Sequence, residues 1–229
     1  MPRPTSLACA VVLVAALAST AVGCGDDDAQ VSTERSDQVR AAALEAGLPD
    51  DVADVLALAA LGPTATFQVT YAGSENANIV VYQEPPNRRV DVVKSGRTVE
   101  SRLLRDGVSY LCQPDAQAGA AAPLKCTRDA SALSAPGAFS NKALDDFTDS
   151  LSASKGTLDL TVDERRVADT MAQCLITAPK AGTELDGTGP TVDTLCVSPE
   201  GAQLLVDVDG DRVVANAYST DVPEGTFDV

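Results

Sequence analysis

The chain has 229 residues, 17 Lys plus Arg against 33 Asp plus Glu, and a formal net charge of −16. That length holds one domain, or one domain with a tethered arm, and is enough to bury a core. The charge excludes nucleic acid as a partner, because a phosphate backbone demands clustered Lys and Arg, and it disfavours electrostatic docking on an anionic membrane.

The N-terminus reads as an export signal. Arg3 is a short basic region, Leu7 to Leu17 is an apolar run, and small residues then lead to Cys24. The run is too short for a spanning helix and has the flanks of a cleaved signal. Ala21-Val22-Gly23-Cys24 resembles the bacterial lipobox, with Ala21 in place of the more usual Leu. The resemblance implies cleavage after residue 23 and a diacylglyceryl, palmitate-type anchor on Cys24. Two acyl chains would hold the protein stably on the outer face of the cell membrane, where one would not. Residues 24–36, with Asp26-Asp27-Asp28, read as an acidic flexible tether, and 37–229 as one domain.

Helices come first. Ser36 can cap a helix running to about Ala46, stopped by Gly47. A second starts near Asp50 and ends at Gly62-Pro63. Its apolar positions Val52, Val55, Leu56, Ala59 and Ala60 form one stripe. A packed cover for the core and a lid over a cavity would both need that stripe.

From Thr64 the period becomes two. Phe67, Val69 and Tyr71 alternate with Gln68 and Thr70, as in a half-buried strand. Strands follow at about 78–83, 88–94, 98–104 and 108–113, with turns at Gly96 and Asp106-Gly107 and a break at Pro85-Pro86. Gln117 to Pro123 reads as a loop and Asn141 to Ser152 as an inserted helix. Strands resume at 157–163, where Leu158, Leu160 and Val162 alternate with polar residues. A longer extended stretch covers 166–177, and further strands cover 192–198, 203–207 and 212–220, the last two joined at Asp209-Gly210. The expected fold is α+β: an antiparallel sheet of about ten strands. A sheet that wide must twist and curl.

Six Cys are present and no His. Without His the commonest general base and metal ligand are missing. Cys9 leaves with the signal and Cys24 takes the lipid. Cys112, Cys126, Cys174 and Cys196 remain, an even number in an exported chain, which reads as disulfides. Each of the pairs Cys112–Cys126 and Cys174–Cys196 flanks one short loop, so local pairing is expected.

The order of elements and several local motifs resemble the bacterial lipoprotein-carrier-like family, which includes the periplasmic lipoprotein localisation factor and actinobacterial lipid-binding lipoproteins. The motifs are Glu84-Pro85-Pro86-Asn87-Arg88-Arg89-Val90-Asp91, Arg105 to Cys112 with its Asp-Gly turn, Arg166-Val167-Ala168-Asp169 before Cys174, Cys196 before Pro199-Glu200-Gly201, and a closing Asp221-Val222-Pro223 with Phe227. Asp169 stands where relatives have Gly. The resemblance covers roughly 64–229. It implies a strongly curved half-barrel with helices covering its apolar concave face, and a role in carrying or presenting lipids. The inner face is then expected to carry Phe67, Val69, Tyr71, Val90, Val92, Leu103, Leu158, Leu160 and Val162 as ligand contacts.

No residue pattern states a reaction. Asp207-Val208-Asp209-Gly210-Asp211 fails the calcium-loop pattern, which wants Gly and Glu where Arg212 and Tyr218 stand. Neither Ser154-Lys155 nor Lys94-Ser95 lies in a nucleophile motif. Four Tyr, four Phe and no Trp leave few platforms for sugars. The expectation is a non-enzymatic, monomeric lipoprotein without cofactor or metal that binds or carries an acyl lipid. The alternative is an envelope protein–protein interaction module with no ligand cavity. Filled and empty half-barrels need the same inward residues, so pattern leaves that choice open.

Overall fold

The structure, a computed structural model, describes residues 27–73, 76–115, 122–129, 137–181, 192–208 and 211–228. The signal segment, Cys24 and the Asp209-Gly210 turn lie outside the described residues. So does most of the loop after Asp115.

The elements in chain order are α1 (Asp27–Glu45), α2 (Asp50–Ala59), a single 3-10 turn (Gly62–Thr64), β1 (Phe67–Ala72), β2 (Ala77–Glu84), β3 (Asn87–Lys94), β4 (Arg97–Arg105), β5 (Val108–Pro114), β6 (Leu124–Arg128), α3 (Asn141–Ser154), β7 (Leu158–Val167), β8 (Thr170–Pro179), β9 (Val192–Val197), β10 (Gln203–Val208) and β11 (Asp211–Ser219). All described strands join one antiparallel, open sheet in the order β6-β5-β4-β3-β2-β1-β11-β10-β9-β8-β7. The sheet is large and curved: β7, at one edge, returns to touch β11 although three strands lie between them. The class is α+β.

Three details differ from the sequence reading. The sheet has eleven strands among the described residues, not about ten. The added one is β6, whose five residues Leu124–Arg128 are too few to show a period. The stretch expected as one strand over 166–177 is instead a hairpin, because Ala168 and Asp169 turn with φ of 51° and 62°. That is the left-handed backbone of a tight two-residue turn, formed here without Gly. The turns at Ser95-Gly96 and Asp106-Gly107 also have positive φ at both residues, as their sequence led one to expect.

The third difference is where the helices lie. The first begins at Asp27, inside the stretch read as a tether. No Gly or Pro interrupts residues 27–45, so a helix seated by Val39 and Ala43 can extend toward the N-terminus. Ser36 therefore sits inside α1 rather than capping it, and its hydroxyl donates to Ala57 O of α2 at 2.9 Å. The helices also gather over one wing of the sheet. α2 touches β7, β8 and β9, while α3 packs on α1 and α2. The expected stripe of α2 is buried as read: Val52, Val55, Leu56, Ala59 and Ala60 join Leu144 and Leu151 of α3 and Leu175, Leu195 and Val197 of the sheet. Ser140 caps α3, accepting from Ala143 N at 3.2 Å.

A second apolar cluster lies along the middle of the sheet and includes Phe67, Val69, Tyr71, Val81, Val90 and Leu204. The chain end of α2 is locked to this region by backbone contact. Gly201, in the β9–β10 turn, has φ +82°, and a β-carbon there would come within 2.3 Å of Leu58 O and 2.5 Å of Gly62 N. Gln83 Nε2 also donates to Gly62 O and, at 3.1 Å, to Ala65 O.

Gly201→Ala is therefore expected to cost about 3 kcal/mol or more, combining backbone strain with a clash that has no side chain to yield. Gly96→Ala, at φ +73° with nothing near its β-carbon, is expected to cost about 1 kcal/mol. Urea unfolding of both variants checks this; equal losses would show that close packing at Gly201 contributes nothing.

Candidate functional site: a groove under the helices and a cationic pocket

Strand pairing assigns the residues expected as ligand contacts to faces. Directly paired residues share a face. Val69 pairs with Val81, Val81 with Val90, and Tyr71 with Ile79, which pairs with Val92. On the other wing Val162 pairs with Leu175, Leu175 with Leu195, Leu195 with Val206 and Val206 with Val213. Tyr71 pairs with Ala215, two residues from Val213, which joins the two wings. Phe67, Val69, Tyr71, Val90, Val92, Leu158, Leu160 and Val162 thus lie on the side of the sheet that carries the helices.

Leu103 does not. Val90 pairs with Arg102, and Leu103 pairs with Arg89 on the opposite face. It is buried there, beside its strand partners Arg89 and Tyr110. Arg89 Nη1 and Arg105 Nη1 donate to Thr226 O and Phe227 O, so the C-terminal segment crosses that face. An apolar residue in a strand can be buried by either face, and alternation alone cannot say which.

The grouped residues are not equally open. Phe67, Val69, Tyr71 and Leu158 are buried, and Val90 nearly so. The Tyr71 hydroxyl donates to Gln203 O, and burial holds it well above the ordinary phenol range. Val92, Leu160 and Val162 are half-buried. Of these, Val162 lines a groove of about 430 Å³ between the helix pair and β7–β8. Val55, Ala57 and Leu58 provide the rest of its apolar wall, and Ser36, Asp51, Asp54 and Gln173 its polar groups. Asp54 is held by Arg40 Nε at 2.6 Å, and Gln173 Nε2 donates to Glu164 at 2.8 Å. The volume lies in the range of small-ligand pockets. The sequence reading found Val162 but missed this wall: the apolar part is the rim of the α2 stripe, and the polar groups carry no signal before the helices are placed.

A second pocket of about 200 Å³ lies beside the β2–β3 turn. Its walls combine Pro63, Pro85, Leu104 and Phe139 with Gln83, Asn87, Arg88 and Ser140. Arg88 shares its face with Val90 and pairs across the strands with Gln83 and Leu104. Burial pushes its guanidinium below its usual value, while the Tyr71 hydroxyl nearby acts in the opposite direction. The alternation that placed Val90 and Val92 inward also places Arg88 inward, so its position was readable although its chemistry was passed over.

The four cysteines form the expected bonds. Cys112 pairs with Cys126 across β5–β6, and Cys174 with Cys196 across β8–β9. Among the described residues no three of His, Cys, Asp or Glu gather as metal ligands would. None of the described helices is long and apolar enough to cross a membrane.

Replacing Cys174 and Cys196 together by Ala is expected to cost about 3 kcal/mol, because their bond closes a loop of 22 residues in the unfolded chain. Denaturation of the double variant beside the untreated protein measures it, and an unchanged midpoint would contradict the expectation. A scan against protein-family models and a search of curated proteins each return no match for this chain.

Proposed function

We propose that this chain is an exported bacterial lipoprotein, anchored to the outer face of the cell membrane through Cys24, that binds or carries a hydrophobic ligand such as an acyl lipid without chemically altering it. The fold meant is the half-barrel, its concave side being the side that carries the helices. The observation that carries the reading is the groove under α2. Val55, Ala57, Leu58 and Val162 give it an apolar wall on a protein face whose neighbouring residues are otherwise packed. Saturated chains need area rather than aromatic stacking, and the wall is made of aliphatic groups. Acidic Asp51 and Asp54 at the rim stay in water while a chain lies against the wall.

Two further features support the address. Disulfides persist in oxidising compartments such as the bacterial periplasm and cell surface, and two are formed here. The N-terminal sequence supplies a basic start, an apolar run and a small-small-Cys ending. An envelope interaction module without a ligand cavity has one observation in its favour: Phe67, Val69 and Tyr71 fill the middle of the sheet face so that almost none of their surface is open. In the carrier reading these residues form the floor that shapes the face, and the ligand lies further out, at Val162.

Two variants test the proposal. Cys24→Ala is expected to move the protein from the membrane fraction to the soluble one and to abolish incorporation of labelled fatty acid; a wild type that takes up no label would refute the anchor. Val162→Trp is expected to reduce uptake of a fluorescent fatty acid about tenfold or more by filling the groove, with little loss of stability because Val162 is half-buried. Unchanged uptake in a folded Val162→Trp protein would remove the groove from the account.

A further inference from the structure

The groove under α2 has a one-sided chemistry. One wall is aliphatic, and its polar groups are Ser36 from α1, Asp51 and Asp54 from α2, and Gln173 from β8. Their donors are largely committed within the protein. The Ser36 hydroxyl donates to Ala57 O at 2.9 Å, and Gln173 Nε2 donates to Glu164 Oε1 at 2.8 Å. What these groups keep for a ligand is mostly oxygen: a hydroxyl, an amide carbonyl and two carboxylates, all of which accept. Charge points the same way. Among the described residues no Lys or Arg lines the groove, whereas Arg88, Lys125 and Arg35 line other pockets of the molecule. Arg40 reaches Asp54 from α1. Asp51 forms no such ion pair among the described residues, and its Oδ1 accepts from Val52 N at 2.9 Å. Glu164, two residues along β7 from Val162, adds a further carboxylate beside Gln173. Arg166, two residues further on, is exposed and lies 4.0 Å from Asp169. The positive end of α2 does not call for an anionic ligand, because Asp50 and Asp51 already occupy its first turn.

We infer that the groove beneath α2 takes an acyl lipid whose polar end is a cationic amine, with the chain on the aliphatic wall and the ammonium among Ser36, Asp51 and Asp54. The inference rests on the lipid-binding function proposed above and specifies the class of lipid. An ammonium brings three donors and no acceptor, the complement of this rim. It is the protonated form of an alkylamine at neutral pH, as in lysine. A hydroxyl end supplies one donor and no charge. A carboxylate or phosphate end brings negative charge toward carboxylates, so such a lipid binds through its chain alone and more weakly. Asp51 and Asp54 are both exposed, so water screens the attraction and the selectivity is modest, while the chain supplies most of the affinity.

The test uses the full-length protein and three probes that share one fluorescent chain and end in an amine, an alcohol or a carboxylate. Butylamine, which has the charge without the chain, is the arm for ion pairing elsewhere on an acidic surface. At low ionic strength the wild type is expected to bind the amine about fivefold more tightly than the alcohol and the acid about fivefold more weakly, and butylamine is expected not to compete. Asp51→Asn keeps the oxygen that accepts from Val52 N and should lower the amine-to-acid ratio about threefold or more. Asp159→Asn removes an exposed carboxylate from the other face of β7 and should leave the ratio unchanged. An amine bound no more tightly than the alcohol, or a ratio that falls equally in Asp51→Asn and Asp159→Asn, overturns the cationic headgroup and leaves the lipid-binding function standing. Competition by butylamine at the concentrations of the long-chain amine overturns it too, by assigning the preference to surface charge. Failure to bind any chain-bearing probe overturns both.

Discussion

The pairing of β1 with β11 makes one sheet out of two meanders. β1 to β6 run as consecutive hairpins, and β7 to β11 do the same from the other edge. Among the described residues, the strand ladder that joins them is the one that places Gln68 opposite Ser219 and Val69 opposite Tyr218. The ladder shifts register between Thr70 and Tyr71, and such irregularities increase local twist. Polar contacts converge on this seam. The Tyr71 hydroxyl donates to Gln203 O, and Tyr218 donates to Glu200 while Ser198 donates to Tyr218. Gly201 presses on Gly62 a few residues away, so the seam also fixes where α2 ends. A chain that did not form the β1–β11 ladder would have neither the continuous apolar face nor a seat for its helices.

The two wings then serve different ends. The β7–β9 wing is covered by helices, and its inward side chains are consumed by packing except at the groove. The β3–β6 wing has no such cover from α2 and carries charged residues on both faces, several neutralised within the strand: Arg89 by Asp91 at 2.7 Å and Arg102 by Glu100 at 3.0 Å. The Arg102–Glu100 pair is partly exposed and adds little stability, whereas Asp91 is buried, so Arg89 keeps its carboxylate from being buried alone. Each wing also has a disulfide. Cys112–Cys126 ties down β6, a short edge strand with one neighbour, and Cys174–Cys196 joins β8 to β9 on the face opposite the helix-packed Leu175 and Leu195. Among the described residues, the groove at Val162 and the pocket at Arg88 are places where apolar side chains border open space on the helix-bearing side.

Much of this architecture was legible because it rests on local rules. The period-two run through Phe67, Val69 and Tyr71, the stripe of α2, the turns at Gly96 and Gly107 and the pairing of cysteines across short loops all follow from neighbouring residues. The failures came where distant contacts decide. Ser36 has the chemistry of a cap, yet Ala57 O on a second helix claims its hydroxyl. Ala168 and Asp169 turn the chain despite an unfavourable backbone, because the ten-residue strands on either side pair along their whole length. Leu103 looks like its inward neighbours, but its pairing with Arg89 puts it on the other face, where Arg89 and Arg105 hold the C-terminal segment. The groove was invisible for the same reason, since its wall is shared between α1, α2, β7 and β8. A sequence shows which side chains are apolar; whether the space they enclose is filled depends on how elements far apart in the chain come together.

Native mass spectrometry of the protein released gently from bacterial envelopes tests the central claim most directly. The account predicts a bound species, with a mass matching an acyl lipid, that dissociates on collisional activation and is diminished in Val162→Trp. A spectrum containing only the bare, folded chain with its own anchor, or the chain with one stoichiometric protein partner and no lipid, would contradict it.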